Sequence, residues 1–232
     1  MRIEVCVNRL EDISHLQSLP IDRIELCIEL GCGGLTPSLS TIEKALTISK
    51  IPIHVLVRPR SGDFVYSEVT FATLLQDCVA IQVLGVAGIV TGGLMPEASL
   101  PLVFLNQLRT ALSDCKLYFH RAFDDVAHPE QGIRQLIEIG FDGILSSGQK
   151  AIALEGLDLL IKWKEIANKN LVVMPGSGID VSNVQRFQEA GFEWIHLSAK
   201  KQLSPSSSLF ANQQYGVDIN KLELLLEVIK TV

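Results

Sequence analysis

Eight short β-branched runs, each followed by a longer amphipathic segment, limit what this chain can fold into. The runs lie at residues 2–7, 23–27, 53–57, 88–91, 117–120, 143–146, 171–174 and 194–197. Each is the short run that a parallel strand, buried on both faces, produces. Amphipathic segments fill the spaces between them, at 38–49, 67–84, 101–112, 129–139, 153–167 and 181–190, and a last one at 220–229 ends the series. The first connection, 10–19, is shorter and weaker. Asp180 and Ser182 are placed to cap the segment that ends at Gly191, and Gly140 follows the apolar face of 129–139. Strict strand–helix alternation demands a parallel sheet with right-handed crossovers, and eight such units close a ring. The expected fold class is therefore α/β, a (βα)8 TIM barrel, with residues 1–232 as one domain. An open doubly wound sheet is the rival, but no G-x-G-x-x-G turn follows the first run.

Composition narrows the partners. The chain is 47% hydrophobic and 20% charged, which supports a large core and excludes a disordered protein. A net charge of -6 argues against a general affinity for nucleic acid or an anionic membrane. The apolar start, Ile3 to Val7, is broken by Glu4 and is too short for a signal or a membrane span. Five cysteines, an odd number spread thinly, read as free thiols in a reducing, cytoplasmic compartment. Residues 201–216 are rich in Ser, Gln and Asn and read as a surface loop after the eighth strand, or as a flap over the barrel mouth. An apolar helix face would allow a homodimer, although no heptad or small-residue stripe identifies it.

In a parallel barrel all strand C-termini share one rim, so polar residues at strand ends are the candidates for chemistry. The first two strands give Glu4-Val5-Cys6 and Glu25-Leu26-Cys27. Alternation puts carboxylate and thiol on one face, and neighbouring strands would set the two pairs side by side, roughly 5 Å apart. The third strand ends in Arg58-Pro59-Arg60-Ser61-Gly62-Asp63-Phe64, and the fifth in His120-Arg121-Ala122-Phe123-Asp124. Ser146-Ser147-Gly148, Gly176-Ser177-Gly178 and His196-Leu197-Ser198 end the last three.

The segments Arg23 to Cys27, Gly33 to Ser38, Arg58-Pro59-Arg60 with Gly62-Asp63-Phe64, Phe119 to Asp124, and His196 to Ala199 resemble the signature of the CutC family. The likeness is collinear from residue 2 to about residue 200. It departs from the pattern in the loop Gly92 to Ser99, where an Asp-Gly pair is usual, and at Ser146 and Ser177. The resemblance implies a (βα)8 barrel, a cytoplasmic location and a link to copper homeostasis.

Two uses of the mouth follow. Cu(I) is soft and favours thiolates, which makes Cys27 with Cys6 or Cys32 the candidate copper ligands. Against this, a buried free cysteine is often a plain apolar filler, as expected of Cys78 and Cys115. The other use is an enzyme acting on a small anionic metabolite, bearing phosphate or carboxylate. Glu4, Glu25, His120 and His196 would be its acid–base groups. Arg58, Arg60, Asp63, Arg121, Asp124, Ser147, Gly176, Gly178 and Ser198 would form the binding wall, with the seventh and eighth loops offering backbone N–H groups. The plainer alternative pairs the arginines with the acids and uses the glycines only to turn the chain. Asp124 and Asp125 could hold a divalent cation, or merely cap a helix and pair with Arg121. His15 and His128 read as surface residues, and His54 as filling an inner layer of the barrel.

Overall fold

The protein's structure, a computed structural model, describes residues 1–203 and 214–230. Eight parallel strands run β1 Arg2–Val7, β2 Arg23–Leu26, β3 Ile53–Val57, β4 Gly88–Thr91, β5 Lys116–Phe119, β6 Gly143–Ser146, β7 Val172–Pro175 and β8 Trp194–Leu197. The helices are α1 Leu10–Leu16, α2 Leu39–Ile48, α3 Glu68–Val83, α4 Leu102–Ala111, α5 Pro129–Ile139, α6 Leu157–Ala167, α7 Val184–Glu189 and α8 Ile219–Lys230. Strand order follows chain order, β1 pairs with both β2 and β8, and a bridge between Gly176 and His196 joins β7 to β8. The (βα)8 barrel expected from the alternation is the fold.

Strand alternation sorts side chains into two cores. Ile3, Val5, Val7, Ile24, Leu26, Val55 and Ile89 point outward and pack with helix residues such as Ile13, Leu16, Ile42 and Leu74. Inside the ring, Cys6, Cys27, Leu56, Val90, Tyr118, Leu145, Met174 and Trp194 form a separate cluster. Glycine makes room for the largest interior groups. A Cβ at Gly88 would lie 2.5 Å from His54 Nε2, and one at Gly143 would lie 2.3 Å from Tyr118 Cε1. His54 thus fills the interior, as its mid-strand place suggested.

Helix α3 buries Phe71, Leu74, Cys78 and Ile81, at a spacing of 3, 4 and 3 residues. Ser67 begins it, its hydroxyl accepting from the Thr70 N–H at 3.3 Å, and Ser38 does the same for α2 through Thr41 at 3.2 Å. Gly140 ends α5 at φ +91°. Helix α7 departs from expectation. Asp180 Oδ1 accepts from Ser182 N and Oγ, closing a local turn, so the helix starts after Asn183 and neither residue caps it. The stretch 201–216 also differs from a plain loop: Lys200–Gln202 (β9) and Tyr215–Val217 (β10) pair as an antiparallel hairpin. The rest of that reading, residues 204–213, lies outside the described residues.

Candidate functional site

The interior below the mouth is organised by Arg23, which sequence reasoning left out of the site. Its guanidinium lies between the rings of Tyr118 and Trp194, 4.3 and 4.2 Å from their centroids. Its Nε donates to Glu4 Oε2 at 2.5 Å. Register places Arg23 and His196 directly beside Glu4 on the two neighbouring strands, and His196 Nδ1 meets the other Glu4 oxygen at 2.7 Å. Burial alone would raise the Glu4 pKa. Arg23 and His196 outweigh it and hold Glu4 down to about 2. In turn the acids Glu25 and Glu4, with Cys6, keep His196 well above its ordinary value against its burial.

With Nδ1 engaged, His196 turns Nε2 towards Glu25, 3.8 Å from Oε2. The second Glu25 oxygen, Oε1, is buried with no hydrogen-bond partner among the described residues. Burial, with the nearby Glu4 charge, raises the Glu25 pKa. The strand register corrects one expectation here. Glu25 lies opposite Cys6, not opposite Glu4, so the two E-x-C pairs are staggered by two residues. The stagger still brings Cys6 Sγ to 3.4 Å from Cys27 Sγ. That contact, burial and Glu25 raise the Cys6 pKa well above normal, so the thiol stays protonated at neutral pH. One ligating atom each from Cys6, Glu25 and His196 fall within 4.8 Å of one another.

Above these groups lies a cavity of about 100 Å³, lined by Cys6, Glu25, Arg58, His120, Arg121 and His196 among others. Arg58 is 5% exposed yet has no carboxylate within ion-pair distance among the described residues. It donates instead to backbone carbonyls, Nη1 to Cys32 and Gly34 at 3.0 and 3.1 Å and Nη2 to Gly62 at 2.8 Å. Its Nε has no hydrogen-bond partner among the described residues. His120, 3% exposed, accepts the Ala122 N–H on Nδ1 at 3.2 Å. Burial and then Arg58 push its pKa down to about 3. It is thus a neutral ring whose proton sits on Nε2, and that N–H is also unpartnered.

The remaining candidates do not converge on the cavity. Arg60 and Asp63 pair with each other at 2.6 Å on the exposed loop, where Arg60 also holds the Ser61, Asp63 and Val65 carbonyls. Cys32 is exposed and its thiol donates to the Glu29 carbonyl at 3.1 Å, away from Cys27. Asp124 is consumed by the structure, accepting from Arg121 Nε, Ser146 Oγ and the N–H groups of Ser147 and Gln149. Ser147 joins that network, receiving Arg121 Nη2 at 2.7 Å and donating to the Lys150 carbonyl at 2.5 Å. Asp125, His15 and His128 are exposed. At Gly176 and Gly178 the space of a Cβ is taken by Leu145 and Ile152, 2.6 and 2.7 Å away, so packing against these side chains requires glycine there. Ser198 is half-buried beyond β8 and does not line the cavity. Loop conformation decided these cases. Arg23 carried a legible signal, since period two puts it on one face with Glu25 and Cys27.

Comparison with known proteins bears on the same residues. A model described as the CutC family matches residues 1–201. A family protein CutC of Glaesserella parasuis is 39% identical over 203 residues, covering 87% of this chain and 84% of its own. Its counterpart in Pasteurella multocida is 38% identical over 217 residues, covering 93% and 89%. The crystal structure of the putative copper homeostasis protein CutC from Streptococcus agalactiae aligns with a TM-score of 0.80 at 30% identity, covering 85% of this chain and 98% of that one.

Proposed function

The chain belongs to the CutC family, and from that membership we infer that it serves copper homeostasis by binding Cu(I) at the barrel mouth through Cys6 and Cys27. The observation that carries this reading is the 3.4 Å approach of the two thiols, brought together from adjacent strands. Two sulfur ligands suffice for Cu(I). Glu25 is a hard oxygen donor and contributes charge more than ligation. Copper must displace thiol protons, and the Glu25 carboxyl group beside Cys6 is placed to take one. Cys32, bonded elsewhere, has no part in the site. Thiols unpaired in a disulfide suit a cytoplasmic location, and among the described residues no helix is long and apolar enough to cross a membrane.

Anaerobic titration against a Cu(I) chelator tests this directly. One equivalent should bind tightly to wild type and to Cys32→Ser, and the Cys6→Ser/Cys27→Ser variant should lose it. Undiminished binding by the double variant ends the copper reading.

A second reading, acid–base chemistry on a small anionic metabolite, is favoured by a different observation. Glu25 Oε1, Arg58 Nε and His120 Nε2 are buried and unpartnered in residues that share one cavity. Leaving a buried polar group unpaired costs about 1–3 kcal/mol, so three together support a binding role. In this reading the Glu4–His196 pair and Glu25 move protons, and Arg58 anchors the anion. A thermal-shift screen of small phosphorylated and carboxylated compounds checks it: a ligand at 100 times its Kd adds about 2.7 kcal/mol.

A further inference from the structure

We propose that Arg58 and His120 form a receptor for the carboxylate of a small hydroxy acid, whose hydroxyl is taken by Glu25. The proposal rests on the cavity being a ligand pocket. It requires neither copper nor catalysis.

Charge selects a monoanion. Of the buried charges, Glu4 is shared by Arg23 and His196, and Asp124 takes Arg121. Arg58 alone among the cavity's cations meets only neutral carbonyls. One uncompensated buried cation calls for one negative charge. A phosphate ester would bring a second charge to the side where Glu25 already sits, so carboxylate fits better.

Donor geometry selects the group. The Ala122 N–H fixes the His120 tautomer, which makes Nε2 a donor, and the Arg58 Nε–H is a donor by its nature. Two buried donors with no acceptor match the two oxygens of a carboxylate. Glu25, which lines the same cavity, holds in Oε1 an acceptor with no donor among the described residues, and a hydroxyl satisfies it. The ring of Phe64 lies against both residues, 4.8 Å from the Arg58 guanidinium and 4.9 Å from the His120 ring centroid. A ligand in the cavity therefore lies against Phe64. A volume of about 100 Å³ holds a few heavy atoms.

Calorimetric titration of the full-length, reduced, metal-free protein with glycolate, acetate and inorganic phosphate tests the assignment. Glycolate should bind saturably, and about tenfold more tightly than acetate, which lacks the hydroxyl. His120→Asn keeps an acceptor for the Ala122 N–H, but its amide is too short to place a donor where Nε2 stands, and it should weaken glycolate at least tenfold. Cys32→Ser, at an exposed thiol that does not line the cavity, should bind glycolate like wild type. The glycolate–acetate ratio is read on wild type alone, so it stands even if a variant misfolds. Absent glycolate binding, equal affinity for acetate, tighter phosphate binding, or an unaffected folded His120→Asn would each overturn the proposal. Turnover is no part of the readout: a pocket that binds glycolate without reacting supports the proposal.

Discussion

Glu4 is the residue on which the interior electrostatics turn. It is fully buried, and both of its oxygens are used, one by Arg23 and one by His196. Removing one member of such a pair leaves its partner as an unpaired buried charge, which costs about 3–5 kcal/mol. Arg23→Met should therefore lower stability by about that amount, since it strands Glu4 while keeping the side-chain volume between Tyr118 and Trp194. Glu4→Gln should cost a similar amount. The double variant should cost less than the sum of the two, because neither charge is then left alone. Urea denaturation of the four proteins gives the cycle, and strict additivity would show that the contact has no energetic coupling. Arg23 also marks the limit of reading sites from strand ends. Glu4, Glu25, Cys6, Cys27, Arg58, His120 and His196 were legible because the rim collects polar residues at known positions. Arg23 escaped that rule because it begins its strand, although period two puts it on the face of Glu25 and Cys27.

Among the elements, β7 and β8 form the thinnest seam, joined by the Gly176–His196 bridge, where other neighbouring strands share longer registers. The seam is tight as well as short. A methyl group at Gly176 would lie 2.6 Å from Leu145 Cδ1 and 3.2 Å from His196 Cβ. Gly176→Ala should cost about 1–3 kcal/mol, the usual range for overpacking. It should also raise amide exchange in β8 before it does so in β3 or β4; uniform exchange across the ring would refute the seam as the weak element. The strands themselves were readable, since residues buried on two faces have to be apolar and short runs carry that mark. Loop conformations were not. Arg60 and Asp63 look like mouth residues in the sequence, yet their own ion pair folds them outward. The start of α7 moved for a related reason: a local Asx turn at Asp180 competed with the helix for its first N–H groups.

At the scale of the whole molecule, the barrel carries two imidazoles that it refuses to protonate, and this sets its response to acid. Burial, aided by Arg23 for His54 and by Arg58 for His120, pushes both pKa values down to about 3 from 6.5. Below pH 6.5 the unfolded chain binds protons that the folded one declines, so stability falls as the pH drops. Each histidine contributes a slope approaching about 1.4 kcal/mol per pH unit, which continues until the pH nears 3. His196 is shifted the other way, so its contribution is complete below pH 6.5 and fades only as the pH rises through its folded value. It therefore adds nothing to the slope between pH 6.5 and 4.5. Glu4, held near 2, begins to lose its contribution only below the unfolded value of 4.5. Glu25, raised by burial, works against the histidines in the same window, so the net fall is shallower than their sum. His54→Gln removes one titrating group without touching the mouth. Its urea-derived stability should depend on pH less steeply than wild type by about 1.4 kcal/mol per unit between pH 6 and 4.5. Parallel slopes for the two proteins would mean that the buried neutral imidazole is not what makes the barrel acid-sensitive.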